Sequence, residues 1–244
     1  MTFAAVLAGG IGSRMGAEMP KQYLKAGGKP ILVRSVEQFA CRDDLACVLV
    51  LTPEDWVSYT KDLLLQYGMG PGDVPVTVLA GGATRNDTLR NAIDYLEEHF
   101  DLDGDSVFIT HDAVRPFLTQ KMIDDNIAAV REYGACGTCI PATDTIVVSE
   151  DGTAISEIPD RSRLYQMQTP QSFRPLKLKA LMDSLTPEEE AVLTDGCKIY
   201  LLKGEPVVMV PGAVTNIKIT YPSDLAFAES FLAGEDDALV QCLL

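Results

Sequence analysis

Two cations and a run of glycines lie close together near the start of the chain, in the stretch LAGGIGSRMGAEMPKQYL. The glycines directly follow an apolar run at 3–8, and Arg14 and Lys21 are seven residues apart. Glycine lets a ligand approach the backbone closely, and Arg and Lys pair with phosphate oxygens. The stretch therefore predicts a loop that binds an anionic ligand, with the two cations reaching different phosphates.

The spacing of this loop differs from the two familiar phosphate-binding loops. Gly10, Gly12 and Gly16 form G-x-G-x-x-x-G, whereas a dinucleotide fingerprint needs G-x-G-x-x-G. A P-loop needs Ser or Thr after Gly-Lys, but Lys29 is followed by Pro30. A nicotinamide dehydrogenase is therefore disfavoured, and failure to bind NAD(P)H would exclude it.

Two further polar segments each follow an apolar run. The segment GGATRNDT at 81–88 precedes a helical pattern, and a helix start with free amides suits an anion or a base edge. The segment HDAVRP at 111–116 contains Asp112, which could hold Mg²⁺ against phosphate oxygens. From these residues alone, a capping role or an ion pair with Arg115 is an equal alternative, and we expect His111 to be structural.

Composition excludes several classes of function. The net charge of −15 over 244 residues lacks the basic footprint of a nucleic-acid-binding protein. No signal peptide and no apolar stretch of membrane-spanning length is present, so we expect a cytoplasmic protein without a membrane span. Cys136 and Cys139 have CxxC spacing, but no second pair completes a zinc site, so we expect buried thiols.

Alternating strands and helices must position these segments. Apolar runs at 3–8, 46–51, 75–79 and 106–110 predict buried strands. Helical faces lie between them, and Thr119 is a suitable N-cap for one of the helices. The alternation predicts an α/β fold with a mostly parallel sheet and helices on both faces.

The pattern changes after Pro141, where TIVVSEDGTAISEI alternates around Asp151-Gly152 and predicts a hairpin. This hairpin interrupts the alternation of strands and helices, so we expect residues 141–160 to project as an arm. Helices are predicted near 175–185, 187–197 and after Pro222, with strands near 206–210 and 216–220. We expect a single domain over residues 1–234, followed by a loose acidic tail at 235–244.

The motifs LAGGIGSRMG, MPKQYL, GGATRNDT, HDAVRPF, QTPQSF and NIKIT, in this order, resemble the sugar- and polyol-phosphate cytidylyltransferases. The resemblance runs from about residue 3 to 233. It implies a Rossmann-like nucleotidyltransferase sheet with a projecting β-hairpin arm. It also implies transfer of CMP from CTP to a polyol phosphate, with Mg²⁺ or another divalent cation as cofactor.

The resemblance also implies roles for individual residues. Arg14 and Lys21 would be catalytic, stabilising charge on the α-phosphate and the leaving pyrophosphate, and Asp112 would hold the metal. The expected nucleotide contacts are Leu7, Ala8, Gly9, Gly10, Gly82, Ala83, Arg85, Asn86, Asp87, Thr88 and Arg115. The expected acceptor contacts are Thr145, Arg161, Thr169, Thr194 and Lys218.

The finer motifs favour the branch that uses D-ribitol 5-phosphate and makes CDP-ribitol for teichoic acid synthesis. EIPDRSRLYQMQTPQSF, LTDGCKI and NIKITYPSDL are similar to that branch, although Met167 stands where it has Gly. The alternative acceptor is 2-C-methyl-D-erythritol 4-phosphate, used in isoprenoid synthesis; Ala83 stands where those enzymes often have Asp. A homodimer through the arm and a ribulose 5-phosphate reductase are the partners that the resemblance suggests, and a catalytically inactive regulatory protein is a further alternative.

Overall fold

A computed structural model of the chain describes residues 1–10, 19–72 and 74–234. The acidic tail predicted at 235–244 lies outside the described residues. In the described part of the chain, no helix combines the length and the apolar character that crossing a bilayer requires.

The described residues form nine strands and eight α-helices. In chain order these are β1 (Thr2–Leu7), β2 (Lys25–Ala26), β3 (Lys29–Pro30), α1 (Ile31–Ala40), β4 (Cys47–Thr52), α2 (Val57–Gln66), β5 (Val76–Ala80), α3 (Arg85–His99), β6 (Val107–Asp112), α4 (Gln120–Tyr133), β7 (Ala135–Pro141), β8 (Tyr165–Phe173), α5 (Pro175–Asp183), α6 (Pro187–Ala191), α7 (Gly196–Leu202), β9 (Val208–Pro211) and α8 (Pro222–Ala233). Three short 3₁₀ helices lie at Lys21–Tyr23, Glu54–Trp56 and Arg161–Arg163.

Seven of the strands form one sheet in the order β5-β4-β1-β6-β8-β7-β9, and β2 and β3 form a separate two-stranded ribbon. Within the large sheet, only β8 is antiparallel to its neighbours. The chain leaves β1 toward β4 and β5, then returns to β6 on the other side of β1. The carboxyl ends of β1 and β6 therefore meet where the strand order reverses, which is the usual ligand crevice of an open α/β sheet.

Helices cover both faces of this sheet, as the alternation predicted. One buried cluster contains Val6 with residues of α1, α2 and α4. The other cluster contains Leu7 with residues of α3, α5 and α7. Successive side chains of a strand point to opposite faces, so the side chains of β1 are divided between the two clusters and β1 is buried on both sides. This burial explains why its sequence is a continuous apolar run. The predicted fold class is confirmed.

Several helix boundaries follow from local chemistry that the sequence contains. The hydroxyl of Thr119 caps α4 by accepting from the amide of Met122, as predicted. The helix predicted at 187–197 is instead two helices, because Asp195 caps a new helix by accepting from the amide of Lys198. The strand predicted at 216–220 is not a strand: its Ile219 amide donates to the Val114 carbonyl at 2.9 Å, but this segment joins no ladder.

The arm between β7 and β8 is less regular than the predicted hairpin. It contains one antiparallel bridge, between Val148 and Glu157. Within the described residues, strand pairing in the arm does not extend beyond this bridge. Asp151 stabilises the turn by accepting from the amides of Thr153 and Ala154. Gly152 has a φ of +73°, a left-handed conformation that glycine adopts without strain. Aliphatic side chains of the arm at 146–148, 155 and 158 are exposed.

Candidate active site

A cleft of about 360 Å³ lies at the carboxyl ends of β1, β5 and β6. The predicted site residues that line it are Leu7, Ala8, Gly9, Gly10, Lys21, Gly82, Ala83, Arg85, Thr88, Asp112 and Lys218. These residues come from five separate parts of the sequence. The sheet brings them together because parallel strands end at the same edge, and the segments that follow them share one crevice.

The glycine loop leaves β1 directly into this cleft. The amide of Ala8 donates to the carbonyl of Leu51 at 2.7 Å, which extends the pairing with β4 by one residue. Added Cβ atoms at Gly9 and Gly10 would have no atom of residues 1–10, 19–72 and 74–234 within 4 Å. Both glycines line the cleft, so their backbone faces a ligand that binds there. Arg14, predicted to be catalytic, lies outside the described residues.

Lys21 lies in a buried 3₁₀ turn at the side of the cleft. Its ammonium donates to the carbonyl of Ile219 at 2.9 Å, which ties this turn to the segment that precedes α8. The neighbouring Gln22, which we did not predict, also lines the cleft. Its position directly after Lys21 in the quoted stretch was the available signal.

The segment before α3 has a constrained geometry. Thr84 and Asp87 form a capping box, in which each side chain accepts from the other residue's amide. The Gly82 amide donates to the hydroxyl of Thr88 at 3.0 Å. A Cβ at Gly82 would lie 2.1 Å from the Cβ of Asp87, so only glycine fits. Asn86 and Asp87, both predicted nucleotide contacts, do not line the cleft, and Asp87 instead holds the helix start.

Asp112 is the only acidic residue among the described residues that line the cleft, and three cations surround it. Arg85 Nη1 lies 2.7 Å from Oδ1, and Lys218 Nζ lies 2.9 Å from Oδ2. Arg115 Nε lies 3.7 Å from Oδ2, which is an ion-pair distance but too long for a hydrogen bond. Burial alone would raise the pKa of Asp112, but Arg85, Lys218 and Arg115 outweigh it and hold the pKa well below its usual range.

Arg115 itself does not line the cleft, although it was predicted to contact the nucleotide. It is buried, and its Nη1 donates to the carbonyl of Asn216 at 2.7 Å. The carboxylate of Asp112 faces the cleft and forms the ion pair with Arg115 that the sequence left as an alternative, together with ion pairs to Arg85 and Lys218. A role in holding Mg²⁺ stays a prediction.

His111 lies beneath the cleft and is fully buried, as expected of a structural histidine. Its Nε2 lies 3.0 Å from the carbonyl of Arg115, so Nε2 carries the proton. The hydroxyl of Thr169 then donates to Nδ1 at 3.0 Å and accepts from the amide of Asp112 at 3.0 Å. Burial lowers the pKa of His111 to about 4, so the ring is neutral at pH 7.

The predicted acceptor contacts are not all brought together in this chain. Lys218 lines the main cleft, whereas Thr169 is buried and its hydroxyl has partners on both sides. Thr194 lines a second cleft of about 400 Å³ with Met167. Thr145 and Arg161 line neither cleft, and Arg161 Nη1 donates to the Thr143 carbonyl at the base of the arm.

A divalent cation at Asp112 is compatible with this donor set. Mg²⁺ in nucleotide sites is commonly held by one or two carboxylates together with substrate phosphates. The described residues contain no cluster of three or more His, Cys, Asp or Glu side chains that could hold a metal without a ligand. Asp112 is the carboxylate of this cleft that would hold such an ion.

The model of one protein family, described as 2-C-methyl-D-erythritol 4-phosphate cytidylyltransferase, matches residues 2–234. Among solved structures, 4-diphosphocytidyl-2C-methyl-D-erythritol synthase from Anaerococcus prevotii is similar at 25% identity and a TM-score of 0.76, covering 96% of this chain and 98% of that one.

Two other solved structures are similar over nearly their whole length. The 2-C-methyl-D-erythritol 4-phosphate cytidylyltransferase from Thermus thermophilus has 26% identity and a TM-score of 0.71, with 96% of this chain and 100% of that chain covered. The Francisella tularensis protein of the same name has 25% identity and a TM-score of 0.75, with 94% and 98% covered. The family match and these structures support the resemblance seen in the motifs.

Proposed function

We propose a specific reaction for this chain, which belongs to the 2-C-methyl-D-erythritol 4-phosphate cytidylyltransferase family and is therefore a nucleotidyltransferase. The reaction is transfer of CMP from CTP to D-ribitol 5-phosphate, which gives CDP-ribitol and pyrophosphate. Cytidylyl transfer follows from membership of the family, whereas the identity of the acceptor is our proposal.

One observation carries the proposal that the cleft binds a nucleoside triphosphate. Lys21, Arg85 and Lys218 line one cleft beside a glycine loop, in a chain whose net charge is −15. Cations gathered against the overall charge of a protein indicate a polyanionic ligand. CTP and a phosphorylated acceptor together bring at least four negative charges, which this cleft can distribute over its amides and cations.

The proposed chemical step is an in-line displacement. A phosphate oxygen of the acceptor attacks the α-phosphorus of CTP, a new P–O bond forms, and the bond to the β-phosphate oxygen breaks. Pyrophosphate leaves with the electron pair, so no enzyme nucleophile is needed. Catalysis then depends on positioning and on charge stabilisation, the roles we assign to Arg14 and Lys21.

A divalent cation, when bound, would neutralise part of the charge of the phosphates. Asp112 is the residue we propose to hold it. Arg85 and Lys218 already lie against this carboxylate, so they are placed to transfer to the phosphates as these enter. We propose that Lys218 positions the acceptor phosphate.

The choice of acceptor rests on motif similarity. The segments that contain Thr169, Thr194 and Lys218 are the ones that are similar to the ribitol branch. Thr145 and Arg161 line neither cleft of their own chain. We propose that the exposed arm pairs with a second copy of the chain and contributes these two residues to the acceptor site of that copy.

A second candidate acceptor is 2-C-methyl-D-erythritol 4-phosphate. The observation that favours it is that all three solved structures described above carry the name of that reaction or its product. The residues that bind CTP and the chemical step would be the same with either acceptor.

The deciding experiment measures pyrophosphate release from CTP and Mg²⁺ with each of the two acceptors at equal concentration. We expect kcat/KM to be higher with D-ribitol 5-phosphate. A higher kcat/KM with 2-C-methyl-D-erythritol 4-phosphate would instead assign the protein to isoprenoid synthesis. If neither acceptor gave pyrophosphate release, both assignments would be contradicted. Lys21→Ala should lose about 100-fold or more in rate.

The setting of the reaction is part of the same proposal. Because CTP is a cytosolic metabolite, we place the protein in the cytoplasm. Reduction of a ketopentose phosphate gives D-ribitol 5-phosphate, so we propose a ribulose 5-phosphate reductase as the supplier and a candidate partner. CDP-ribitol would then serve teichoic acid synthesis.

A further inference from the structure

Three consecutive buried side chains of the 3₁₀ turn Lys21–Tyr23 contact three different parts of the molecule. Lys21 donates to the Ile219 carbonyl before α8, and Gln22 Nε2 donates to the Ala8 carbonyl at 2.6 Å. The Tyr23 hydroxyl lies 2.7 Å from the hydroxyls of both Thr52, on β4, and Thr60, on α2. A 3₁₀ helix has three residues per turn, so successive side chains diverge by about 120°.

The contact of Gln22 fixes the first peptide of the glycine loop. The Ala8 amide is held by the Leu51 carbonyl, and the Ala8 carbonyl is held by Gln22. Because a trans peptide is planar, its carbonyl and the following amide point in opposite directions. A carbonyl held by Gln22 therefore sets the direction of the Gly9 amide, in a loop that lines the cleft.

We infer that Gln22 is a positioning residue for the nucleotide: through the Ala8 carbonyl, it orients the Gly9 amide toward a phosphate. This inference rests on the proposed function, which supplies CTP as the ligand. Gln22 is 1% exposed, and Tyr23 anchors the same turn through two further hydrogen bonds. The carboxamide is thus held firmly enough to transmit its position to the loop.

Two substitutions of Gln22 by side chains of similar shape distinguish its role in orienting the loop from its contribution to packing. Gln22→Met keeps the length of the side chain but removes the donor, and we expect the Kd for CTP to rise about tenfold, the effect of one lost hydrogen bond. Gln22→Glu replaces the donor by an acceptor at neutral pH and should bind CTP more weakly still. Burial raises the pKa of a carboxyl group, so lowering the pH should restore a donor in this variant.

The test is isothermal titration of each protein with CTP and Mg²⁺, without acceptor, between pH 8 and pH 5.5. We expect the affinity of Gln22→Glu, relative to wild type, to recover as the pH falls, whereas that of Gln22→Met stays constant. A purely structural role would not produce this difference. Gln120→Met is the matched control, since Gln120 Nε2 also donates to a backbone carbonyl, that of Gln38, and does not line the cleft.

The outcomes are distinguishable from failure of the proposed function. Failure of wild-type protein to bind CTP would contradict the function itself. CTP binding by wild type with an unchanged Kd in Gln22→Met, or an affinity ratio for Gln22→Glu that does not vary with pH, would overturn the role of Gln22 alone. Melting temperatures measured on the same samples show whether each variant is folded.

Discussion

Replacement of Asp112 by Asn is the most informative perturbation of this site. In the folded protein the carboxylate lies among Arg85, Lys218 and Arg115. The substitution keeps the size of the side chain but removes the negative charge, so three cations are left facing one another. We expect both the stability of the protein and its response to anions to change.

The magnitude follows from the exposure of the four side chains. Asp112 and Arg115 are 8% and 10% exposed, whereas Arg85 is 27% and Lys218 is 44% exposed. Breaking a fully buried pair costs about 3–5 kcal/mol, and an exposed pair contributes about 0–1 kcal/mol. Solvent screens two of the three partners here, so we expect Asp112→Asn to lower the free energy of unfolding by about 2 kcal/mol at pH 7.

The effect should depend on pH in a defined direction. The pKa of Asp112 is lowered by folding, so its contribution is complete above the unfolded value, about 4, and declines as pH falls toward the folded value. The difference between wild type and variant should therefore be constant from pH 7 to about pH 5 and shrink below about pH 4. Urea unfolding, followed by fluorescence of the single tryptophan, Trp56, measures it.

An anion provides the decisive comparison. Pyrophosphate should stabilise Asp112→Asn more than wild type, because the released cations have no internal carboxylate to pair with. Asp44→Asn is the control, since it removes a more exposed ion pair with Arg42 and should cost less than about 1 kcal/mol. Unchanged stability of Asp112→Asn at pH 7, or equal stabilisation of both proteins by pyrophosphate, would refute the electrostatic reasoning.

Three further predictions concern neighbouring residues. Lys218→Met should keep the fold, because this side chain is partly exposed, but lower kcat/KM by about 100-fold, measured as pyrophosphate release. Thr169→Val removes the hydroxyl that joins the amide of β6 to the buried imidazole and should lower the free energy of unfolding by about 2 kcal/mol; Thr194→Val, at an exposed hydroxyl, should leave it nearly unchanged. Gly82→Ala should weaken CTP binding at least tenfold in titration calorimetry, since its Cβ would clash with the start of α3. Gly104→Ala should not, since its Cβ would meet no atom of the described residues within 4 Å.

The sequence by itself determined the fold class and most of the lining of the cleft. Apolar runs buried on both faces indicate parallel strands, and β1, β4, β5 and β6 lie within two residues of where those runs predicted them. The glycine loop and the segment before α3 each follow such a strand, and Asp112 is the last residue of β6. Because parallel strands end at one edge of a sheet, order along the chain was enough to predict that these segments meet.

Only the tertiary structure decided what several individual side chains contact. Asp87 and Thr169 were predicted to contact ligands, but their oxygens are used within the protein, by the helix cap and by the buried imidazole. Gln22 was not predicted, and its contact with Ala8 spans 14 residues. Hydrogen bonds between residues distant in sequence leave no periodic pattern, so their partners are set by how the elements pack rather than by local sequence.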